Sequence, residues 1–549
     1  MSRMKPKPGQ KPSPSYSSLS RGSQNCAESA RFCEPRLSSM FHLPRQLQKL
    51  VRIGLVLTHF LSARPAPAAE PLDTKAVDAL ITKALADWRV PGVAVAIVRD
   101  DKVVYLQGHG VREIDGHDKV TPDTVFPLAS CSKAFTTTAM AVLVDEGKMA
   151  WDDPVRDHVP FFQLSEPLAD RAVTLRDLVC HRTGLRGHEL LWYRAPWSPE
   201  EAVRRAGLLP LDRPFRTAFQ YQSTMFTAAG LAVSSAAKMP WHDFVKQRLL
   251  DPLGMNATVF TSTEAEKAAD RAVGHRLNER ESVVTLPTAP MDTADAAWTA
   301  HSTARDLAKW LRFQLSDGAV GGKRLVSERN LEETHTPQMV IPLVGTEREM
   351  HPETVQLSYA MAWVVQDYRG EKLVSHAGAL DGFRVHLTLV PRRRIGIVIL
   401  ANMQATRMNL ALSNTLVDHL IGAPKKDWNT LYRRLLLRDA LTALEQRQAW
   451  RAQQVQNAKH SHPLSDYAGR YEHPAYGIAE VKVERGRLVW RWNDFAAVLD
   501  HHHYETFILR EASTFQEPPV LFLPGATGEV GAMHIQGWFD VEFRKLKPR

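Results

Sequence analysis

The residues best suited to chemistry are a serine and a lysine in the segment Ser130-Cys-Ser-Lys133. An apolar run continues to Asp145 and Gly147 follows it, so the sequence predicts a helix that begins near Ser130. At the first turn of a helix, free N–H groups and the positive end of the dipole favour negative charge near a hydroxyl oxygen. Lys133 lies on the same face one turn later, and packing against apolar neighbours disfavours its charged form. We therefore predict a nucleophilic serine with a lysine as its base.

Other catalytic patterns in the sequence are weaker or absent. Ser235-Ala-Ala-Lys238 is a second Ser-x-x-Lys match, but it lies late in a predicted helix, before Met239-Pro240, where no helix N-terminus assists it. No Gly-x-Ser occurs, which excludes the nucleophile elbow of α/β-hydrolases, and there is no phosphate-binding Gly-x-x-x-x-Gly-Lys loop. His188-Glu189 is half of a zinc-protease motif, but Trp192 stands where the second histidine belongs.

A longer pattern surrounds Ser130. It consists of Thr124-Val-Phe-Pro-Leu-Ala-Ser-Cys-Ser-Lys-Ala-Phe135 and Gly147-Lys-Met-Ala-Trp-Asp-Asp-Pro154, and three later segments extend it: Leu178-Val-Cys-His-Arg-Thr-Gly-Leu185, Pro252-Leu-Gly-Met255 and Ser302-Thr-Ala-Arg-Asp-Leu307. Together they resemble the penicillin-recognising serine hydrolases, which include class C β-lactamases, D,D-carboxypeptidases, D-aminopeptidases and related esterases. The resemblance covers about residues 72–422 and implies acyl transfer through Ser130, with Lys133 as base.

The resemblance places a second catalytic element at Phe219-Gln-Tyr221-Gln-Ser223, where the family has Tyr-x-Asn. It implies that Tyr221 shuttles protons between Ser130, Lys133 and the leaving group, and that residue 223 binds substrate. Ser223 replaces the asparagine, so it keeps a hydrogen-bond donor but lacks the amide's carbonyl and reach. The alternative is that Tyr221 is a core tyrosine whose hydroxyl is satisfied within the protein.

The third element of the family, Lys-Thr-Gly or His-x-Gly, falls at His376-Ala377-Gly378. The resemblance implies that the N–H groups of Ser130 and Ala379 form the oxyanion hole, that Gly378 lets substrate approach the strand, and that His376 and Ala377 also bind substrate. An imidazole with a pKa of about 6.5 is mostly neutral at pH 7, whereas a lysine is cationic. We therefore expect weak use of carboxylate-bearing substrates, including penicillins, relative to neutral esters or amides.

The arrangement of predicted elements indicates an α/β (α+β) fold. A helix at 77–88 precedes a hairpin of strands 93–98 and 103–106 around Asp100-Asp101, and residues 121–315 are mostly helical. Further strands are predicted at 373–375, 385–390 and 395–401, before a closing helix at 408–420. Strands from both ends of the region predict an antiparallel sheet flanked by helices, with an inserted helical lobe and a cleft between them. The resemblance implies the same β-lactamase/transpeptidase-like fold over residues 69–423.

The C-terminal residues 463–549 show short alternating apolar runs, which predict a small all-β barrel behind a helical connector at 424–462. Leu464-Ser-Asp-Tyr-Ala-Gly-Arg-Tyr471 and Asp500-His-His-His-Tyr-Glu-Thr-Phe507 resemble the lipocalin-like domain attached to such hydrolases. His501 and His503 would share one face of a strand, but without a third ligand they predict no metal site. We expect the barrel to cover the cleft or to mediate self-association.

The net charge of +9 originates in an N-terminal leader. Residues 1–68 hold 11 Lys and Arg against 2 Asp and Glu, and the rest of the chain holds 58 of each, so no nucleic-acid partner is expected. Residues 1–39 are predicted to be a disordered extension, and residues 40–68 a signal peptide with basic residues, a short apolar run and Ala66-Pro67-Ala68. The run is shorter than the ~20 residues of a spanning helix, so we expect a periplasmic or secreted protein with no stable membrane span.

Only two of the four cysteines, Cys131 and Cys180, lie beyond the leader, and we expect two buried thiols rather than a disulfide framework. The sequence thus predicts an exported serine hydrolase that forms an acyl-enzyme at Ser130 on an amide or ester, needs no cofactor and has a small molecule or short peptide as its partner. Peptidase, esterase and β-lactamase activities stay open, as does the oligomeric state. Two alternatives remain: a non-catalytic penicillin-binding-like sensor, suggested by the departures at Ser223 and His376, and a barrel that carries a small ligand.

Overall fold

A hairpin of two strands, Gly92–Arg99 and Lys102–Gly110, opens the sheet of the first domain. Its turn residues Asp100 and Asp101 have φ values of 49° and 62°, the left-handed conformation that a tight hairpin requires and that aspartate tolerates. The computed structural model describes residues 72–287, 290, 293, 295–510, 517–537 and 539–547. The predicted extension and signal peptide, residues 1–68, lie outside the described residues.

The main sheet has eight strands, and every neighbouring pair is antiparallel. From one edge to the other the strands are Lys102–Gly110, Gly92–Arg99, Ile395–Ala401, Phe383–Val390, Glu371–Leu380, Val364–Tyr368, Leu357–Tyr359 and Met339–Val340. Strands from the beginning and the end of the domain, Gly92–Arg99 and Ile395–Ala401, therefore pair as the second and third strands of the sheet, which confirms the predicted antiparallel architecture. The strand expected at 373–375 is longer than predicted and includes residues 376–380.

Each face of the sheet packs against a different set of helices. Val93, Val95 and Ile97 belong to the core formed with the terminal helices Thr74–Trp88 and Met408–Ile421. The alternate residues Ala94, Ala96 and Val98 belong to the core shared with the inserted lobe. Because a strand points successive side chains to opposite faces, this alternation buries both sides of the sheet.

The lobe and its flanks consist mostly of short helices. The α-helices are Lys133–Asp145, Val155–His158, Pro167–Ala172, Leu175–Val179, Pro199–Ala206, Ser223–Ala237, Trp241–Val245, Asp251–Leu253, Ser262–Ala265, Ala304–Leu315, Glu328–Thr334 and Gly345–Met350. Single turns of 3₁₀-helix occur at Ala129–Ser132, Glu189–Leu191 and Pro391–Arg393, and a π-helical turn occurs at Lys246–Leu250. Two-stranded pairs join Phe126–Pro127 to His301–Ser302, His275–Leu277 to Val283–Thr285, and Ala319–Val320 to Lys323–Arg324.

The C-terminal part is a closed antiparallel barrel of eight strands, which confirms the predicted all-β fold. The strands are Gly469–His473, Gly477–Glu484, Arg487–Trp492, Phe495–His503, Thr506–Arg510, Pro519–Pro524, Val530–Ile535 and Glu542–Lys545. Fully buried aromatic side chains, among them Tyr471, Trp490 and Trp492, fill it. The helix Trp428–Ala452 and the short helix Leu464–Tyr467 precede the barrel. No helix among the described residues is long and apolar enough to cross a bilayer.

Candidate active site

Ser130 lies in a tight turn between a buried strand and a buried helix. The 3₁₀ turn Ala129–Ser132 leads directly into the helix Lys133–Asp145, of which nearly every side chain is buried. Ala129 has a φ of 48°, a left-handed conformation that is uncommon for a residue with a Cβ and that concentrates at functional sites. The turn therefore holds Ser130 at the first turn of the helix, as the sequence predicts.

Lys133 is completely buried, and its amine lies between three oxygens. Nζ is 3.1 Å from Oγ of Ser130, 3.0 Å from the carbonyl oxygen of Ala297 and 3.4 Å from Oγ of Ser223. The rings of Tyr221 and Phe226 lie beside it, with centroids 5.1 and 5.4 Å from Nζ. The structure thus brings together the predicted nucleophile Ser130, the predicted base Lys133, and the two residues of the second catalytic element, Tyr221 and Ser223.

Burial is the main influence on the protonation of Lys133, because it lowers the pKa of the amine to about 8. The nearby carboxylates of Glu189 and Asp295 act in the opposite direction and keep the pKa from falling further. A substantial neutral fraction at neutral pH lets this amine take the proton of the Ser130 hydroxyl.

Tyr221 remains a neutral phenol in this site. Burial raises its pKa well above the usual value, although a hydrogen bond with the Ser130 side chain lowers it in part. A phenol that keeps its proton but touches the nucleophile can pass a proton onward, whereas it is poorly suited to act as a phenolate base. This hydrogen bond favours proton shuttling over the alternative of a purely structural core tyrosine.

Ala379, one of the two residues predicted to form the oxyanion hole, lies in the last part of strand Glu371–Leu380. Pairing with strand Val364–Tyr368 ends at Ser375, so among the described strands none pairs with that edge beyond this point. Gly378 faces the nucleophile turn, and a Cβ there would lie 2.1 Å from the carbonyl oxygen of Leu128. The glycine therefore permits close packing of strand against turn, a different reason from the substrate approach expected from the sequence. Ala377 and Ala379 are exposed on this strand.

His376 is buried, and protein groups engage both of its ring nitrogens. Nδ1 donates to the carbonyl oxygen of Ala377 at 2.7 Å, so Nε2 accepts from the hydroxyl of Tyr359 at 3.0 Å. Burial, aided by the charge of Lys133, lowers the pKa of His376 to about 3. In this conformation the imidazole is neutral and has no nitrogen left for substrate, so the predicted direct contact with substrate requires a rearrangement.

The domain around this site has a recognisable counterpart among protein families. Residues 77–420 match the family described as Beta-lactamase, which spans well over half of the chain. The chain belongs to the β-lactamase family. Residues 453–548 match a domain of unknown function, DUF3471.

Several known proteins and solved structures are similar to the chain at low sequence identity. The "Unguisins hydrolase ungD'" of Aspergillus campestris (strain IBT 28561) is 28% identical over 74% of this chain and 77% of its own. "Protein flp" of Staphylococcus aureus (strain MW2) is 28% identical over 63% of this chain and 65% of its own. Among solved structures, an octameric penicillin-binding protein homologue from Pyrococcus abyssi has a TM-score of 0.57 at 22% identity and covers 87% of this chain and 100% of its own. A class C beta lactamase from Rhodobacter sphaeroides has a TM-score of 0.51 at 20% identity, and the match covers 63% of this chain and 99% of that chain. These two structures support the β-lactamase fold.

The sequence did not predict two parts of this site. The first is the segment 295–300, where Asp295 accepts from the N–H of Ala297 at 2.7 Å and from the hydroxyl of Thr227 at 2.9 Å. The same segment bonds the nucleophile helix, because the Thr136 hydroxyl donates to the carbonyl of Ala296 at 2.7 Å. This segment presents the carbonyl oxygen that contacts Lys133, yet its composition carries no recognisable motif.

The second is Glu189, the acidic residue of the His188-Glu189 half-motif. The residue is partly open to solvent, but desolvation of its carboxyl by the surrounding protein raises the pKa to about 7, and the charge of Lys133 opposes this rise. The charge of Glu189 also raises the pKa values of Lys133 and Tyr221. The half-motif therefore marks a carboxylate that acts electrostatically on the site, and the described residues contain no cluster of three metal-ligating side chains. The described cysteines, Cys131 and Cys180, are buried free thiols, as expected.

Proposed function

We propose that the protein is a serine hydrolase that forms an acyl-enzyme at Ser130 on an ester or amide. The observation that carries this proposal is the contact of 3.1 Å between the buried Lys133 amine and Oγ of Ser130. In the acylation step, Lys133 accepts the Ser130 proton as Oγ attacks the substrate carbonyl carbon. The N–H groups of Ser130 and Ala379 receive the developing oxyanion, and Tyr221 relays a proton to the leaving group. Water then hydrolyses the acyl-enzyme and releases the acid.

Intact-mass spectrometry of the full chain tests this function. The protein is mixed with a p-nitrophenyl ester, a D-alanyl peptide and a penicillin, and Ser130→Ala is treated in parallel. We expect a transient mass increase equal to the acyl group of the ester or peptide, which Ser130→Ala abolishes. Absence of both adduct and product with all three compounds would contradict the proposal. A stable adduct with penicillin alone, without product from any compound, would contradict it too and would favour the sensor alternative.

We also propose that neutral esters and amides are better substrates than carboxylate-bearing ones. The neutral state of His376 supports this proposal, because it provides no cation at the position where family members with Lys-Thr-Gly have a lysine. His376→Lys should raise kcat/KM for a carboxylate-bearing ester relative to its neutral methyl ester. An unchanged ratio between the two substrates would contradict this preference.

We further propose that the protein is exported, on the pattern of basic residues, apolar run and small residues within 40–68. Expression of the full chain followed by cell fractionation should place the mature protein outside the cytoplasm, and N-terminal sequencing should begin near residue 69. Retention of the intact chain in the cytoplasm would contradict export. This result would leave the proposed chemistry unaffected.

A further inference from the structure

His181 is a buried histidine to which the proposed chemistry gives no role. It follows the short helix Leu175–Val179, within the motif at 178–185, and it is completely buried. Its φ of 55° is a left-handed conformation, which is uncommon for a residue with a Cβ and concentrates at functional sites. The contacts of this residue explain why the protein holds it there.

Two hydrogen bonds join His181 to the segment that contains Tyr221. The carbonyl oxygen of His181 accepts from the N–H of Gln220 at 2.9 Å, and its ring nitrogen Nδ1 accepts from the N–H of Gln222 at 3.1 Å. These two donors flank Tyr221 in the chain. His181 therefore fixes the backbone on both sides of the tyrosine whose hydroxyl bonds Ser130.

The imidazole of His181 also packs on the side chain of Tyr221. The centroids of the two rings lie 4.2 Å apart at an angle of 39°. Tyr359 and Phe226 pack against the same imidazole, with centroids 4.6 and 5.2 Å away. Because rings packed this closely restrict one another's movement, the position of the Tyr221 hydroxyl beside Ser130 depends on that of His181.

A buried carboxylate anchors the segment that carries His181. Asp177 is completely buried, and it accepts from Nε of Arg182 at 2.5 Å and from Nη2 of Arg216 at 2.6 Å. The N–H of Arg216 also donates to the carbonyl oxygen of Arg182 at 2.8 Å. These bonds tie the residue after His181 to the chain that leads to Tyr221, so one network holds both side chains.

The hydrogen bond with Gln222 determines the tautomer of His181. A backbone N–H is always a donor, so Nδ1 is unprotonated and the proton of the neutral ring lies on Nε2, which has no hydrogen-bond partner among the described residues. Burial, aided by the neighbouring Lys133 and His376, lowers the pKa of His181 well below its usual value. The ring is therefore neutral and has no free nitrogen with which to accept the proton of Tyr221.

We propose that His181 is a positioning residue for proton transfer, and that it holds the hydroxyl of Tyr221 in place between Ser130 and the leaving group. The inference rests on the proposed hydrolase function, in which Tyr221 relays the proton. As the bond between the carbonyl carbon and the leaving group breaks, the Tyr221 hydroxyl gives its proton to the leaving group and regains one from the Lys133 ammonium. His181 neither gains nor loses a proton.

Two esters of the same acid isolate this proton transfer. p-Nitrophenyl acetate releases a stable anion that needs little protonation, whereas phenyl acetate releases a more basic anion that needs the proton of Tyr221. Both form the same acetyl-enzyme, so a difference in kcat/KM between them arises during acylation. Tyr221→Phe and His181→Phe, which keeps a ring but removes the acceptor, should each lower kcat/KM for phenyl acetate at least about tenfold more than for p-nitrophenyl acetate. The double variant should lose no more of this ratio than Tyr221→Phe alone.

A conservative variant and a matched control separate positioning from general damage to the fold. Asparagine tolerates a φ of 55° and offers an oxygen as acceptor for the N–H of Gln222, so His181→Asn should retain most of the ratio. His335→Phe is the control, because His335 is another buried histidine whose Nε2 lacks a partner among the described residues, and its ring contacts Trp363. It should leave the ratio unchanged.

Nitrogen-15 NMR of the full chain with labelled histidine tests the hydrogen bond even where His181→Phe does not fold. The signals that His181→Asn removes should show Nε2 protonated and Nδ1 unprotonated from about pH 5.5 to 8. Protonation on Nδ1 would overturn the positioning role, as would Ser130-dependent hydrolysis with a wild-type ratio in Tyr221→Phe or His181→Phe, and each result would retain the acyl-enzyme chemistry. No Ser130-dependent turnover of either ester by the wild type would overturn the proposed function, and this role with it.

Discussion

The protonation state of Lys133 should set the pH dependence of the enzyme. The amine is buried, and its pKa is lowered to about 8, so the reactive neutral form accumulates as the pH rises through that value. For a neutral ester, kcat/KM should therefore increase about tenfold per pH unit on the acidic side and level off above pH 8 or so. His376 does not contribute to this limb, because burial lowers its pKa to about 3.

The lowered pKa has a large kinetic consequence. An amine with the usual pKa of 10.5 is roughly 0.03% neutral at pH 7, whereas one with a pKa of about 8 is roughly 10% neutral, about a 300-fold difference in available base. Lys133→Arg removes this base, because a guanidinium stays protonated throughout the accessible range. We expect the substitution to lower kcat by about 10²- to 10⁴-fold, the usual contribution of a general base.

The assay is initial-rate hydrolysis of p-nitrophenyl acetate between about pH 5.5 and 9, followed at the isosbestic wavelength of p-nitrophenol so that its own ionisation does not distort the profile. Lys238→Arg is the matched control, since Lys238 ends a helix in the other Ser-x-x-Lys segment and should leave kcat unchanged. A profile that is flat across this range, or a Lys133→Arg variant that keeps wild-type kcat, would refute the assignment of Lys133 as base.

Three further substitutions probe the surroundings of this base. Glu189→Gln removes the negative charge that Glu189 carries above its pKa of about 7 and that stabilises the ammonium form of Lys133. The upper part of the acidic limb of the same pH profile should therefore move to lower pH, and a shift to higher pH would contradict that electrostatic role. Gly378→Ala adds a Cβ 2.1 Å from a backbone carbonyl, so calorimetric melting should show a lower Tm, and acylation in the mass assay should slow. Tyr359→Phe leaves Nε2 of His376 buried without its partner, and urea unfolding should show a loss of about 1–3 kcal/mol, whereas an unchanged midpoint would argue against this hydrogen bond.

The sequence predicted those features that depend on local pattern. The nucleophile turn, the hairpin at Asp100 and Asp101 and the closed barrel all follow from spacing, turn chemistry and alternation, and the structure contains each of them. Ser130 and Lys133 were predictable as a pair because one helical turn is enough to place them together.

Features that depend on distant segments were not predictable from the same patterns. The carbonyl of Ala297 approaches Lys133 across 164 positions of sequence, and the partner of His376 is a tyrosine on another strand. Gly378 was identified as a position that needs a glycine, but the reason depends on its distance to the Leu128 carbonyl, which only the packed structure reveals. Long-range packing thus determines the electrostatics of the site, while local sequence determines its nucleophile.

The barrel and the active site are coupled through one loop. The hydroxyl of Tyr476 in the barrel lies 2.7 Å from Nδ1 of His188, which precedes Glu189. The same loop continues to Trp192, whose ring centroid lies 4.7 Å from that of Trp298. Arg186, at the start of this loop, donates to the carbonyl oxygen of Phe539 at 3.1 Å. The interior of the barrel is filled by its own aromatic side chains, and these contacts join the barrel to the loop. The barrel therefore holds in place the loop that carries Glu189, whose charge raises the pKa of Lys133, and this links the proposed rate to contacts outside the site.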